Sequence, residues 1–286
     1  MALNSRLRSG YVKAGRLVLH DVRGGRGRPP VVFLHGIAQS GVLDWRFVLP
    51  TIAQRRQVYA PDLPGFGFSQ KPPLRYGVPL FARTVLRYLD ARGLKRVVLV
   101  GSSMGGRVAI EVAMRHPERV ERLILVNSLG FGAARSPLLG VFTVPGVGDL
   151  AYTGLAGALL SMDGDRFRRL TGRLGVVQDL LDDSQLDILR EVHSDPGAGY
   201  SHTRTARSLA LHSMENLAPA LARARLPMPI RLIWGARDQL FPVSQAIRAQ
   251  SALPGSKLAI IEGAGHSPEL ERPETFLEAL VPYLTT

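Results

Sequence analysis

The run Val97-Val98-Leu99-Val100-Gly101-Ser102-Ser103-Met104-Gly105-Gly106 constrains this chain more than any other stretch. It reads as an apolar strand, then G-x-S-x-G, then a helix. That order places Ser103 on a sharp strand-to-helix turn. Glycines at 101 and 105 carry no Cβ, so the backbone bends tightly and a helix passes close by. The Ser103 hydroxyl then points out of the turn, beside the Met104 amide at a helix N-terminus. Such a serine is a candidate nucleophile. The competing reading is a small-residue loop without chemistry, and the rest of the chain has to separate the two.

Short apolar strand candidates recur on both sides of this turn. Tyr11–Lys13 and Arg16–Asp21, separated by Ala14-Gly15, read as an antiparallel hairpin. Val31–His35, Gln57–Pro61, Arg96–Val100, Leu123–Asn127, Ile230–Trp234 and Lys257–Ile261 read as further strands. Helical spacing falls at Trp45–Ala53, Pro79–Arg92, Met104–His116, Val243–Ala252 and Pro273–Leu284. Strands alternating with helices imply an α/β fold with a mainly parallel sheet covered on both faces. Residues 128–223 break the rhythm, with Gly-rich apolar segments and then charged helical stretches. They are expected to form a helical cap, with 1–127 and 224–286 as the core. Pro137–Leu160 is apolar, but Pro145, Asp149 and several glycines argue against a spanning helix. It reads as a helical hairpin lining an apolar pocket, and no transmembrane segment is expected.

Composition excludes several chemistries. Among 286 residues there is no cysteine, which rules out disulfides, thiolate metal sites and a cysteine nucleophile. Met1 to Gly10 is polar and basic, without the apolar stretch of a secretory signal, so a cytoplasmic location is expected. The formal net charge is +13, nearly all of it from arginine. The arginines are scattered, with local concentrations only at Arg23–Arg28 and Arg166–Arg173, and neither interleaves with aromatics in the manner of a single-strand-binding groove. A solvated surface is therefore expected, and no nucleic-acid partner.

A serine hydroxyl is a weak nucleophile that needs a base, an orienting acid and donors for the oxyanion. The base candidate is His266, in the glycine-rich loop Glu262-Gly263-Ala264-Gly265-His266 after the last strand. Of the other histidines, His20, His116, His193, His202 and His212 read as structural or surface residues, and His212 is also a candidate pocket residue. The acid candidate is Asp238, in Trp234-Gly235-Ala236-Arg237-Asp238, although aspartate also favours plain turns. Ser, Asp, His is the chain order expected for a nucleophile elbow on such a sheet. Asp62, in Asp62-Leu63-Pro64-Gly65-Phe66-Gly67-Phe68-Ser69, is the rival acid, read as part of a structural turn. The oxyanion donors would be the backbone amides of Met104 and Ile37. His35 is expected to hold the Ile37 loop through backbone hydrogen bonds. Phe142, Leu159, Met162, Leu209, His212, Met214 and Phe241 are the expected substrate-pocket residues.

Leu34-His35-Gly36, the Asp62-to-Ser69 stretch, Gly101-Ser102-Ser103-Met104-Gly105-Gly106, Trp234-Gly235-x-x-Asp238 and Gly265-His266 together resemble the α/β-hydrolase superfamily over nearly the whole chain. The resemblance implies the α/β-hydrolase fold, a Ser103–His266–Asp238 triad, and hydrolysis with no metal and no organic cofactor. A serine at the elbow, where similar haloalkane dehalogenases and epoxide hydrolases carry aspartate, disfavours those activities. The leading expectation is a carboxylic ester hydrolase acting on a small molecule with an apolar acyl or aryl group. A carbon–carbon bond hydrolase of the meta-cleavage-product type is the alternative. Those enzymes typically have Asn before the nucleophile, where this chain has Ser102, and often Trp after the histidine, where it has Ser267. A cofactor-free perhydrolase, a lactonase and a ligand-binding receptor of the same fold are the remaining alternatives.

Overall fold

The apolar runs assemble into one eight-stranded sheet. The computed structural model describes residues 6–37, 40–135, 137–173, 182–213 and 216–285. The strands are β1 (Leu7–Ala14), β2 (Leu17–Gly24), β3 (Val31–Leu34), β4 (Val58–Pro61), β5 (Val97–Ser102), β6 (Val120–Val126), β7 (Ile230–Gly235) and β8 (Lys257–Ile261). Their order across the sheet is β1-β2-β4-β3-β5-β6-β7-β8. The pairs β1/β2 and β2/β4 are antiparallel, and every other neighbouring pair is parallel. This is the α/β-hydrolase fold that the motifs implied.

Central strands covered on both faces need apolar residues at every position, not alternate ones. β3 and β5 are accordingly buried throughout. Successive β5 residues point to opposite faces. Val97 and Leu99 pack with Leu34, Phe81, Val108 and Trp234, whereas Val98 and Val100 pack with Phe33, Trp45 and Phe276. Each such side chain contributes about 1.5–3 kcal/mol on burial, so the two clusters dominate the stability of the core.

Proline explains two departures from the helical spacing. The helix expected over 45–53 is instead two short turns, Gly41–Asp44 and Leu49–Ile52, with Pro50 in the first turn of the second. The helix expected over 273–284 stops at Leu280 and resumes as Pro282–Thr285. Proline has no N–H to donate and its ring clashes with the preceding turn, so it starts helices and interrupts them. The first hairpin is longer than expected, with Ala14 paired to Leu17 across a turn that holds Gly15 at φ 68°.

Between β6 and β7 run the helices Pro137–Thr143, Val147–Ser161, Gly164–Arg173, Asp183–Ser194, Gly197–Ser213 and Ala218–Ala224. The first two form the expected hairpin, broken at Pro145-Gly146. Among the described residues no helix is long and apolar enough to cross a membrane. Asp182 opens the Asp183–Ser194 helix by accepting from the Gln185 N–H at 2.9 Å, while the Gln185 amide oxygen accepts from the Asp182 N–H at 3.0 Å. The Gly197–Ser213 helix docks on the loop after β4. Ser201 Oγ donates to Gly65 O at 2.6 Å, and the Phe66 and His202 rings meet edge to face at 4.7 Å.

Candidate active site

β5 ends at Ser102 and the helix Met104–Arg115 follows, leaving Ser103 alone at the turn. Its φ is 52° and ψ −114°. A non-glycine residue in such a sparsely populated region costs of order 1–3 kcal/mol and persists only where its surroundings impose it. Here the Ser103 N–H donates to Val126 O at 2.9 Å, and Ser103 O accepts from the Gly106 N–H at 3.1 Å. The approach is too close for side chains. A Cβ at Gly101 would lie 2.3 Å from Gly105 O, and one at Gly105 would lie 2.3 Å from Leu34 O. The two glycines are therefore required by packing as well as by the turn.

Three side chains distant in sequence form one hydrogen-bonded chain. His266 Nε2 lies 3.1 Å from Ser103 Oγ, and His266 Nδ1 lies 2.9 Å from Asp238 Oδ2. A carboxylate only accepts, so Nδ1 carries the ring proton and Nε2 faces Ser103 with its lone pair. Asp238 Oδ1 accepts from the N–H groups of Leu240 at 2.8 Å and Phe241 at 2.9 Å. Burial alone would raise the Asp238 carboxyl. The bond and charge of His266, with the donors Asn127 and Phe241, outweigh burial and hold it below the ordinary carboxylate value. The Phe241 ring packs edge to face against the His266 ring at 5.3 Å.

Asn127 and Glu271, which the sequence reading did not single out, fix the two loops that carry Asp238 and His266. Asn127 ends β6 at φ 39°. Its Nδ2 donates to Asp238 Oδ2 at 2.5 Å and to Gly265 O at 3.3 Å, while its Oδ1 accepts from the Gly235 N–H at 3.1 Å. Glu271 accepts from the N–H groups on both sides of His266, those of Gly265 at 2.6 Å and Ser267 at 2.9 Å. Asn127 carries one legible signal, since Asn tolerates left-handed backbone at the end of a strand.

The loop after β3 lies against the same serine. A Cβ on Gly36 would sit 3.5 Å from Ser103 Cβ. The Gly36 N–H donates to Asp44 Oδ2 at 2.7 Å, so that amide is already engaged. The Leu63 N–H donates to His35 Nε2 at 2.9 Å, and His35 Nδ1 donates to Gly36 O at 2.7 Å. His35 thus holds this loop through backbone bonds, as expected. Ile37 follows, half-buried against the core. Met104 is the first residue of its helix, where an N–H has no partner within the helix. Asp44 is buried, and burial pushes its carboxyl up against the opposing pull of His35, the Gly36 N–H and Arg46.

The rival acid is occupied elsewhere. Asp62 Oδ2 accepts from His20 Nδ1 at 2.8 Å and from the Phe68 N–H at 2.9 Å, and Oδ1 accepts from the Gly41 N–H at 2.6 Å. Among the expected pocket residues, Phe241 contacts His266 and Leu209 is buried in the cluster that holds Met104, Leu129 and Phe241. Leu159 is buried in the other cluster, with Phe167, Leu186 and Leu189. Phe142 is half-buried, and Met162 is 37% exposed at the end of its helix. Met214 and the side chain of His212 lie outside the described residues.

Residues 29–273 match the family model described as alpha/beta hydrolase fold. The chain belongs to the α/β-hydrolase-fold family. An uncharacterized protein, Rv2715, of Mycobacterium tuberculosis (strain ATCC 25618 / H37Rv) is 32% identical over 281 residues, covering 97% of this chain and 79% of its own length. A 2-hydroxymuconate semialdehyde hydrolase of Pseudomonas sp. (strain CF600) is 28% identical over 94% of this chain and 90% of its own. The crystal structure of a membrane phospholipase A is 28% identical with a TM-score of 0.72, over 97% of this chain and 86% of that one. The family and its hydrolase-named relatives make this chain a hydrolase.

Proposed function

We propose that this hydrolase cleaves carboxylic esters of apolar acyl or aryl groups through an acyl-enzyme, with Ser103 as nucleophile, His266 as general base and acid, and Asp238 as the orienting carboxylate. The observation that carries the reading is the unbroken relay from Asp238 Oδ2 through His266 to Ser103 Oγ, at 2.9 and 3.1 Å. Ser103 Oγ attacks the ester carbonyl carbon as its proton passes to His266 Nε2. The carbonyl oxygen becomes an oxyanion held by the amides of Ile37 and Met104, since the Gly36 amide is bound to Asp44. Asp238 stabilises the imidazolium, which then gives its proton to the departing alkoxide. Water enters, loses a proton to Nε2 and adds to the acyl carbon. Collapse of that second intermediate returns the proton to Ser103 and frees the acid.

Residues 1–127 and 224–286 are the catalytic core in this reading, and 128–223 form a cap over it that selects the acyl or aryl group. Phe241 supplies an apolar ring against His266, and Leu209 is buried in the same cluster as Phe241. Ser103→Ala lowers kcat on a short-chain aryl ester by about 10³-fold or more, because members of such a triad fail as a unit. Steady-state hydrolysis of 4-nitrophenyl butyrate checks this, and a variant that keeps wild-type turnover removes the mechanism.

Carbon–carbon hydrolysis is the second reading, favoured by the 28% identity to the semialdehyde hydrolase. Ser102 and Ser267 stand where the enzymes it resembles typically carry Asn and often Trp, which places it below the ester reading. Parallel assays of a dienone acid and a series of aryl esters separate the two by their kcat/KM ratio.

A further inference from the structure

One hydrogen bond from the elbow lies a buried carboxyl group that the proposed chemistry leaves without a task. Glu269 is 1% exposed and stands three residues after His266, in the short helix Pro268–Glu271. Its Oε1 accepts from Ser102 Oγ at 2.8 Å, across 167 residues of sequence. Its Oε2 is buried and has no hydrogen-bond partner among the described residues. The bond joins the strand that ends at Ser103 to the segment that carries His266, the two elements whose separation sets the 3.1 Å Ser103–His266 distance.

The charges around it come from three elements. Asp44 ends the Gly41–Asp44 turn and binds the Gly36 amide, and Arg46 follows two residues later. Glu271 lies on the same short helix and is tied to the N–H groups flanking His266. β5 contributes the neutral Ser102, and His266 acts on Asp44. Burial first, and the Asp44 charge second, push the Glu269 carboxyl up to about 8. At neutral pH it carries its proton. Ionised, it would place a second carboxylate near Asp44, whose Oδ2 binds the Gly36 N–H in the loop against Ser103, and like charges oppose one another strongly in a buried site.

We propose that Glu269, acting through Ser102, is a positioning residue: protonated, it ties the nucleophile elbow to the histidine loop as a neutral group, and ionised, it opposes the oxyanion and slows attack by Ser103. This rests on the reading of Ser103 as the nucleophile. The test is the rate of covalent labelling by a fluorophosphonate, in which the Ser103 Oγ–phosphorus bond forms, fluoride leaves and His266 takes the hydroxyl proton. In the wild type the rate falls about tenfold between about pH 7 and about pH 9.5, with its midpoint near the Glu269 value of about 8. Glu269→Gln keeps a neutral acceptor for Ser102 and loses that decline. Ser102→Ala removes a donor that favours the ionised form, so the midpoint moves to higher pH. A merely structural contact would move neither. Unfolding adds a readout free of activity. The carboxyl ionises near its ordinary value in the unfolded chain but only near 8 in the folded one, so wild-type stability falls relative to Glu269→Gln as pH rises through that window. A Glu269→Gln profile that declines like the wild type, or a Ser102→Ala midpoint that stays in place, overturns the inference and leaves the ester reading intact. A wild type that takes no label at any pH, or a Ser103→Ala variant that still does, overturns both.

Discussion

Asn127 meets two local demands at once. Its φ of 39° suits few residues other than Gly, Asn and Asp, and its amide presents a donor to Asp238 and an acceptor to the Gly235 N–H. Glycine would satisfy only the backbone and aspartate would set a second carboxylate against Asp238. Asn127→Ala strips all three side-chain bonds, the one to Gly265 O included, in a buried setting, so it costs about 1–3 kcal/mol of stability and lowers kcat more than it raises KM. Urea unfolding and steady-state kinetics measure the two effects. Asp238 has a further consequence for acid stability. Its folded value is depressed, so its contribution is complete above the ordinary carboxylate value and is lost as pH falls through the folded one. Asp238→Asn therefore flattens the acid limb of the stability profile below about pH 4, read by urea midpoints.

At the scale of elements, the Gly197–Ser213 helix is tied to the loop after β4. Besides the Ser201 bond and the Phe66 contact, Lys71 pairs with Asp195 at 3.2 Å just before it. A half-buried histidine, His193, and a buried one, His202, sit at this seam. His202 Nδ1 donates to Ala198 O at 2.7 Å, and His193 Nδ1 lies 2.7 Å from the Tyr152 hydroxyl, with the two imidazole rings 5.0 Å apart. Burial depresses both, His193 to about 4 with Lys71 adding to it, and His202 to about 3 with His193 and then Lys71 adding to it. In the unfolded chain they take up protons near 6.5, so stability is complete above that value and is lost as pH falls towards 4 and 3. Hydrogen exchange within 197–213 accordingly rises between about pH 6.5 and about pH 4, and His202→Phe reduces that rise. An unchanged exchange rate across the window contradicts the account.

The whole molecule is held by two clusters that share one sheet. The chain has two tryptophans, and each is fully buried in a different cluster, Trp234 in one and Trp45 in the other. Because β3, β5 and β6 send alternate side chains to both, neither cluster opens without stripping a face from the same central strands. Single-tryptophan variants, Trp45→Phe and Trp234→Phe, should each report one urea transition with coincident midpoints once the cost of each substitution is corrected. Separated midpoints would show two folding units. Charge is distributed less evenly. Residues 128–223 hold nine arginines, no lysine and ten carboxylates, so the surplus of +13 belongs to the rest of the chain.

The elbow and the parallel sheet were legible in the sequence because each is written locally. An unbroken apolar run signals a strand covered on both faces, and glycines at 101 and 105 signal a turn without room for side chains. Helical spacing alone runs through Pro50 and Pro282, where the structure starts a new helix. What the tertiary structure alone decided is which polar groups meet outside the Ser103–His266–Asp238 set that the resemblance implied. Asn127 and Asp238 are 111 residues apart, Ser102 and Glu269 167. No spacing rule links such pairs, because hydrogen bonds and the perturbed acidity of buried carboxyls depend on distance and on exclusion of water, and both exist only once the sheet has closed over its two clusters.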